Sequence, residues 1–130
     1  MLKVYTDLEQ SKKLAEILPI DSADMWWSKN FIYYNPTAAI GISAEYSNVY
    51  TYKFGEDDIP CWSLAALLNA LPVSVDEGRH CLALINSNSN GDIEWLCCYE
   101  DYNGNLLMEC YADNQIDACV EMIYKLKEKN

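Results

Sequence analysis

Apolar residues recur at helical spacing in three stretches of the chain and alternate with polar residues in another. In the first stretch Leu8, Leu14, Ala15 and Leu18 share one side of a helix, with Glu9, Lys12, Lys13 and Glu16 opposite. Thr6 followed by Glu9 has the spacing of a capping box, in which each side chain serves one unpaired amide. Pro19 predicts the end, because the residue before a proline resists helical geometry. The second stretch follows Pro60, with Ser63 as N-cap and Leu64, Leu67, Leu68 and Leu71 as a buried stripe; Pro72 closes it. The third begins near Asn114 and carries Ile116, Cys119, Val120, Ile123 and Leu126 on one face.

Between the second and third helices the period changes to two. Strands are predicted from about 80 to 86, 93 to 99 and 106 to 112. Ile93, Trp95, Cys97 and Tyr99 alternate there with Glu94, Leu96, Cys98 and Glu100. Asn90-Gly91 and Asn103-Gly104 are hairpin dipeptides, since a type I′ turn needs positive φ at both central residues. Alternation of this kind suits a sheet with helices on one face and a partly wet other face. Earlier, 31–34 reads as a short strand, 39–46 and 49–54 as a β-prone pair, 21–24 as a turn and 55–58 as an acidic loop. The expected architecture is one α+β domain over residues 1–130. It has a largely antiparallel sheet of about five strands and three helices packed on it, in the order α-β-β-α-β-β-β-α.

Composition narrows the function. Of the 130 residues 51% are apolar, which fits a globular core, and there is no low-complexity stretch, linker or repeat. Twenty acids against nine bases leave a net charge of −11, with Arg79 the only arginine. Phosphate is gripped by Lys and Arg, so direct nucleic-acid binding and anionic membrane surfaces are not expected. The amino terminus carries no apolar signal core, and no apolar run is long enough to cross a bilayer, so a cytoplasmic location is expected. In that setting the six cysteines read as thiols acting as small hydrophobes rather than as disulfides.

Known chemistries find little footing. The five glycines form no phosphate cradle. The one histidine, His80, adjoins Cys81, but strand neighbours point to opposite faces; a Cys–His dyad needs Cys97 or Cys98 brought beside it by the fold. No cysteine pair has the separation of a zinc knuckle. The 101–105 segment imitates a calcium loop, yet its glycine comes too early and Ala112 occupies the position that needs a glutamate. No catalytic residue, metal ligand or cofactor is assigned.

Aromatic residues concentrate between 26 and 62. Large rings with a polar handle are favoured at contact surfaces. Adjacent pairs such as Trp26-Trp27 and Tyr33-Tyr34 cannot both face one core if the chain is extended. Trp26, Trp27, Tyr33, Tyr34, Tyr50 and Tyr52 are therefore the candidate binding residues, weighed against a core buried by helices on both sides of the sheet.

Three framework segments, 5–25 (YTDLEQSKKLAEILPIDSADM), 60–72 (PCWSLAALLNALP) and 112–126 (ADNQIDACVEMIYKL), resemble a set of small uncharacterised proteins of gut-bacterial genomes and their prophages or other mobile elements. The likeness covers somewhat under half of the chain and leaves out 28–59 and 73–111. It brings no activity, cofactor or catalytic residue and implies an accessory or host-interaction role. The leading expectation is a non-enzymatic protein-binding or regulatory protein with a protein partner. The alternatives are a small enzyme with a cryptic acid/base or Cys–His site, and an acidic mimic of nucleic acid.

Overall fold

The computed structural model describes residues 3–27, 59–89 and 91–129. The strands expected over 31–54 and the loop over 55–58 lie outside the described residues. Within them the chain is α+β, with three helices and six strands in two antiparallel sheets, one of two strands and one of four. Six strands replace the expected five, and they do not form a single sheet. The chain divides into two compact units, Tyr5–Ala66 and Leu67–Asn130 with Met1–Val4.

In the first unit α1 spans Leu8–Ala15. Its N-cap is Asp7 rather than Thr6. The Asp7 carboxylate accepts the Gln10 amide at 2.8 Å, and the Gln10 side chain accepts the Asp7 amide at 3.1 Å. The capping box is real but displaced by one residue, because Thr6 is drawn inward. Fully buried, Thr6 donates its amide to the Trp62 carbonyl at 3.0 Å, and its hydroxyl accepts the Trp62 amide at 3.1 Å. Ser11 and Leu14 form the buried face of the helix, while Ala15 is exposed. A 3-10 turn over Ile20–Ser22 follows Pro19 and leads into β1, Met25–Trp27.

Strand β1 pairs antiparallel with β2, Ile59–Cys61, placing Trp26 opposite Pro60. Pro60 thus belongs to a strand instead of opening the helix; a two-stranded ladder has outer sides on which a missing N–H costs little. Ser63 caps α2, Leu64–Ala70: its hydroxyl accepts the Ala66 amide at 3.2 Å and donates to the Asp24 carboxylate. Asp24 also accepts the Ser63 amide at 2.9 Å. The core of this unit holds Leu14, Met25, Trp26, Cys61 and Trp62.

The second unit is built on a meander in the order β3-β4-β5-β6. These strands are Ser74–Val75, His80–Ser89, Asp92–Glu100 and Leu106–Ala112. Strand β4 runs three residues beyond its expected end, so that Ser89 meets Asp92 across a two-residue turn with Gly91 at φ 83°. The β5–β6 turn is not type I′. Only Gly104, at φ 84°, has positive φ there, and the Asp101 amide donates to the Asn105 carbonyl at 2.9 Å. That is a three-residue loop closed by a left-handed glycine, accompanied by a slip in register. Tyr99 faces Met108 while Glu100 faces Leu106, leaving Leu107 as an extra residue on β6.

Helix α3, Gln115–Glu128, starts where the sequence places it. Asn114 is its N-cap, accepting the Asp117 amide at 2.8 Å. Ile116, Cys119, Val120 and Ile123 are buried as the spacing predicts, joined by Ala118 and Met122. The helix packs on β5 and β6.

Candidate interaction surface

The aromatic candidates separate once they are placed. Trp26 is only 2% exposed, whereas its neighbour Trp27 is half-buried. The Trp27 ring meets Tyr5 edge-on at 5.6 Å, and its indole N–H donates to the Ser11 hydroxyl at 3.2 Å. Alternation along β1 turns one ring of the pair inward and leaves the other at the rim. Trp62 is also core, its indole N–H donating to Ser22 at 3.0 Å. Tyr33, Tyr34, Tyr50 and Tyr52 lie outside the described residues.

Most of the reactive groups are held in quiet environments. Nδ1 of His80 sits 3.3 Å from the Asp76 carboxylate. Cys97 and Cys98 pair with Leu84 and Ala83, far along β4 from His80, so the register does not assemble the dyad. All six cysteines are free thiols: Cys61, Cys97, Cys98 and Cys119 buried, Cys110 half-buried and Cys81 exposed. Burial pushes Cys61 up to about 11, against hydrogen bonds from Thr6 and Ser11 that favour its thiolate. Cys97 donates a hydrogen bond to the sulfur of Cys119, and that bond, with burial behind it, raises Cys97. A surface pocket of about 210 Å³ is lined by Cys110, Glu121, Tyr124, Lys125 and Glu128. Burial raises its thiol too, despite Lys125 alongside. Such thiols are poor nucleophiles. Among the described residues no three acidic, thiol or imidazole groups are placed to hold a metal ion, and no helix is long and apolar enough to cross a membrane.

The four-stranded sheet offers a different arrangement. Cys97 points to α3, as its contact with Cys119 requires, so Leu96 and Cys98 point to the opposite face. On that face register builds a continuous apolar rung: Ile85 on β4 opposes Leu96 on β5, which opposes Tyr111 on β6. Ile85 is 38% exposed and Tyr111 50%, flanking a buried Leu96. The next rung is Ala83, Cys98 and Glu109, with Glu100 and Glu94 beyond at either end of β5.

The glutamates of this face act on the tyrosine and the thiol between them. Tyr111 donates its hydroxyl to Oε2 of Glu109 at 3.4 Å, and Glu109, then burial, then Glu94 and Cys98 raise its phenol. Cys98 is pushed up to about 11 by burial first, with Glu100, Cys97 and Glu109 adding to it. Negative charge is thus felt at Tyr111 and at Cys98. Sequence reasoning found the alternation of β5 but not this patch, because Ile85, Leu96 and Tyr111 meet only through register. The available signal was Glu94, Glu100 and Glu109 falling on outward positions of neighbouring strands. Comparison with known proteins finds no matching family model, no matching curated protein and no matching solved structure.

Proposed function

We propose that this chain is a non-enzymatic accessory protein that binds another protein through the outer face of its four-stranded sheet. The observation that carries the reading is the exposure of Ile85 and Tyr111 on either side of the buried Leu96 and Cys98. An exposed ring and an exposed aliphatic side chain among polar groups offer area for such a contact. The raised, buried thiols of Cys61, Cys97 and Cys98 argue for contact over turnover. A cytoplasmic, regulatory role within a mobile element suits the resemblance of the three framework segments.

The test is affinity capture from the native host by the full chain and by Ile85→Ser/Tyr111→Ser, compared by quantitative mass spectrometry. The expected result is a stoichiometric partner held by the wild type and lost with the double variant, both proteins unfolding at similar urea concentrations. Equal capture by the two would overturn the assignment of this face.

A further inference from the structure

The geometry points to an oxidation site on the α3 side of the four-stranded sheet, where Cys110 takes oxygen from a small peroxide and Cys97 closes a Cys97–Cys110 disulfide. The site faces away from Ile85 and Tyr111 and does not depend on the docking role. Its first support is register. Cys97 on β5 stands directly opposite Cys110 on β6. Opposed residues of an antiparallel pair share a face and hold their Cα atoms roughly 4.5–5.5 Å apart. A disulfide spans Cα separations of roughly 4.4–6.8 Å, so the bond needs no movement of either strand.

The second support is access. Cys97 is fully buried, but Cys110 is half-buried and lines the pocket of about 210 Å³ with Glu121, Tyr124, Lys125 and Glu128 of α3. A water takes up about 30 Å³, so this pocket has room for hydrogen peroxide. Burial raises the Cys110 thiol and Lys125 only partly offsets it, so the first step is slow. The second step is helped by proximity, because the resolving thiol is already opposite. The remaining cysteines are placed otherwise. Cys98 points to the other face, Cys81 opposes Glu100, and Cys61 belongs to the other unit. Cys119 accepts the hydrogen bond of Cys97 from the helix side, and it stays a thiol.

The chemistry balances with one peroxide. The Cys110 thiolate attacks a peroxide oxygen; the S–O bond forms as the O–O bond breaks, and the expelled hydroxide takes the Cys110 proton to leave as water. The Cys97 thiolate then attacks the sulfur of that sulfenic acid. The S–S bond forms, the S–O bond breaks, and hydroxide leaves with the Cys97 proton as a second water. Two thiols lose two electrons and the peroxide gains them.

The experiment adds hydrogen peroxide to the folded full chain and to Cys81→Ser, blocks free thiols by alkylation, and cuts the chain after Glu and Asp. That cleavage leaves Cys97-Cys98, Cys110 and Cys119 on three separate peptides. The expected product is a link between the Cys97-Cys98 and Cys110 peptides, reversed by dithiothreitol, with fragment ions assigning it to Cys97. Cys110→Ser should lose the link, and Cys119→Ala should keep it. Cys97→Ala should leave Cys110 as a sulfenic acid that a cyclic diketone traps. Urea unfolding checks each variant, and the map of the unsubstituted chain decides the matter if one of them fails to fold. A link from Cys97 to Cys119, a link through Cys98, or Cys110 still fully alkylated after prolonged peroxide would overturn the inference. So would a native map no different from that of the chain oxidised in denaturing urea, where the links should scatter among the thiols.

Discussion

The hydroxyl of Thr6 accepts the amide N–H of Trp62 at 3.1 Å, joining residues 56 positions apart in the chain. The same oxygen lies 2.7 Å from the Ser11 hydroxyl, and Cys61 donates its thiol to the Thr6 carbonyl at 3.4 Å. A buried knot of short polar side chains thus ties the start of α1 to the end of β2.

Replacing Thr6 by valine keeps the shape and removes the oxygen, leaving the buried Trp62 amide without that acceptor. The expected cost is about 1–3 kcal/mol in urea unfolding of the full chain. Asp7→Ala, which removes the true helix cap, should cost about 1 kcal/mol. Glu9→Ala should cost little, because Gln10 and not Glu9 closes the capping box. A Glu9 effect equal to that of Asp7 would restore the cap to Thr6.

That one-residue shift shows which parts of the fold the sequence could carry. Periodicity is local, so most of the buried face of α3 and the three long strands were legible from the chain alone, whereas in α2 Leu67 is buried with Ala66 while Leu64 and Leu68 are only half-buried. Thr6 and Asp7 are both good caps, and only the contact with Trp62 chooses between them. Met25–Trp27 and Ile59–Cys61 are three-residue strands that owe their form to each other, and no window along the chain can register that pairing. The rung of Ile85, Leu96 and Tyr111 was hidden for the same reason: each residue was visible, but their alignment depends on register and on the slip beside Tyr99.

Asp101 gives the β5–β6 turn a pH dependence of known sign. Asn105 lowers its carboxyl most, through the side-chain amide at 3.0 Å and the main-chain amide at 2.8 Å, and the Asn103 amide adds to this at 2.9 Å. A folded-state pKa below the unfolded one means that the native state binds the proton less readily. The stabilisation is complete above the ordinary aspartate value of about 3.9 and vanishes as pH falls through the lower folded value. Thermal unfolding of wild type and Asp101→Asn should therefore differ by a constant amount near neutrality and converge in acid. A gap that widens on acidification would contradict the ionised, hydrogen-bonded carboxylate.

The thiols should react in order of access. Cys61 and Cys98, at about 11, are ionised to only about one part in a thousand at pH 8 and are buried as well. Cys81 is exposed at the start of β4. Titration of the native protein with an aromatic disulfide reagent should show one fast phase that disappears in Cys81→Ser, with the buried thiols released only by denaturant. A fast phase that persists in Cys81→Ser would mean that a second thiol is open to solvent.

The β3–β4 turn contains removable strain. Asp76 and Glu77 hold φ of 55° and 59°, ahead of Gly78 at 85°, so three successive residues occupy the left-handed region. Asp76 is fixed there by Arg79, which donates its amide to the Asp76 carbonyl at 3.1 Å and its guanidinium to the Asp76 carboxylate at 3.1 Å. Glu77 has only an exposed ion pair with Arg79 at 3.7 Å, worth little in water. A side chain in this region costs roughly 1–2 kcal/mol, partly offset in a glycine by the greater freedom of its unfolded chain. Glu77→Gly should therefore stabilise the protein by about 0.5–1 kcal/mol in urea unfolding. Glu77→Ala keeps the β-carbon while removing the charge, and should leave stability nearly unchanged. If alanine stabilises as much as glycine, the relief comes from charge among neighbouring acids and not from the backbone.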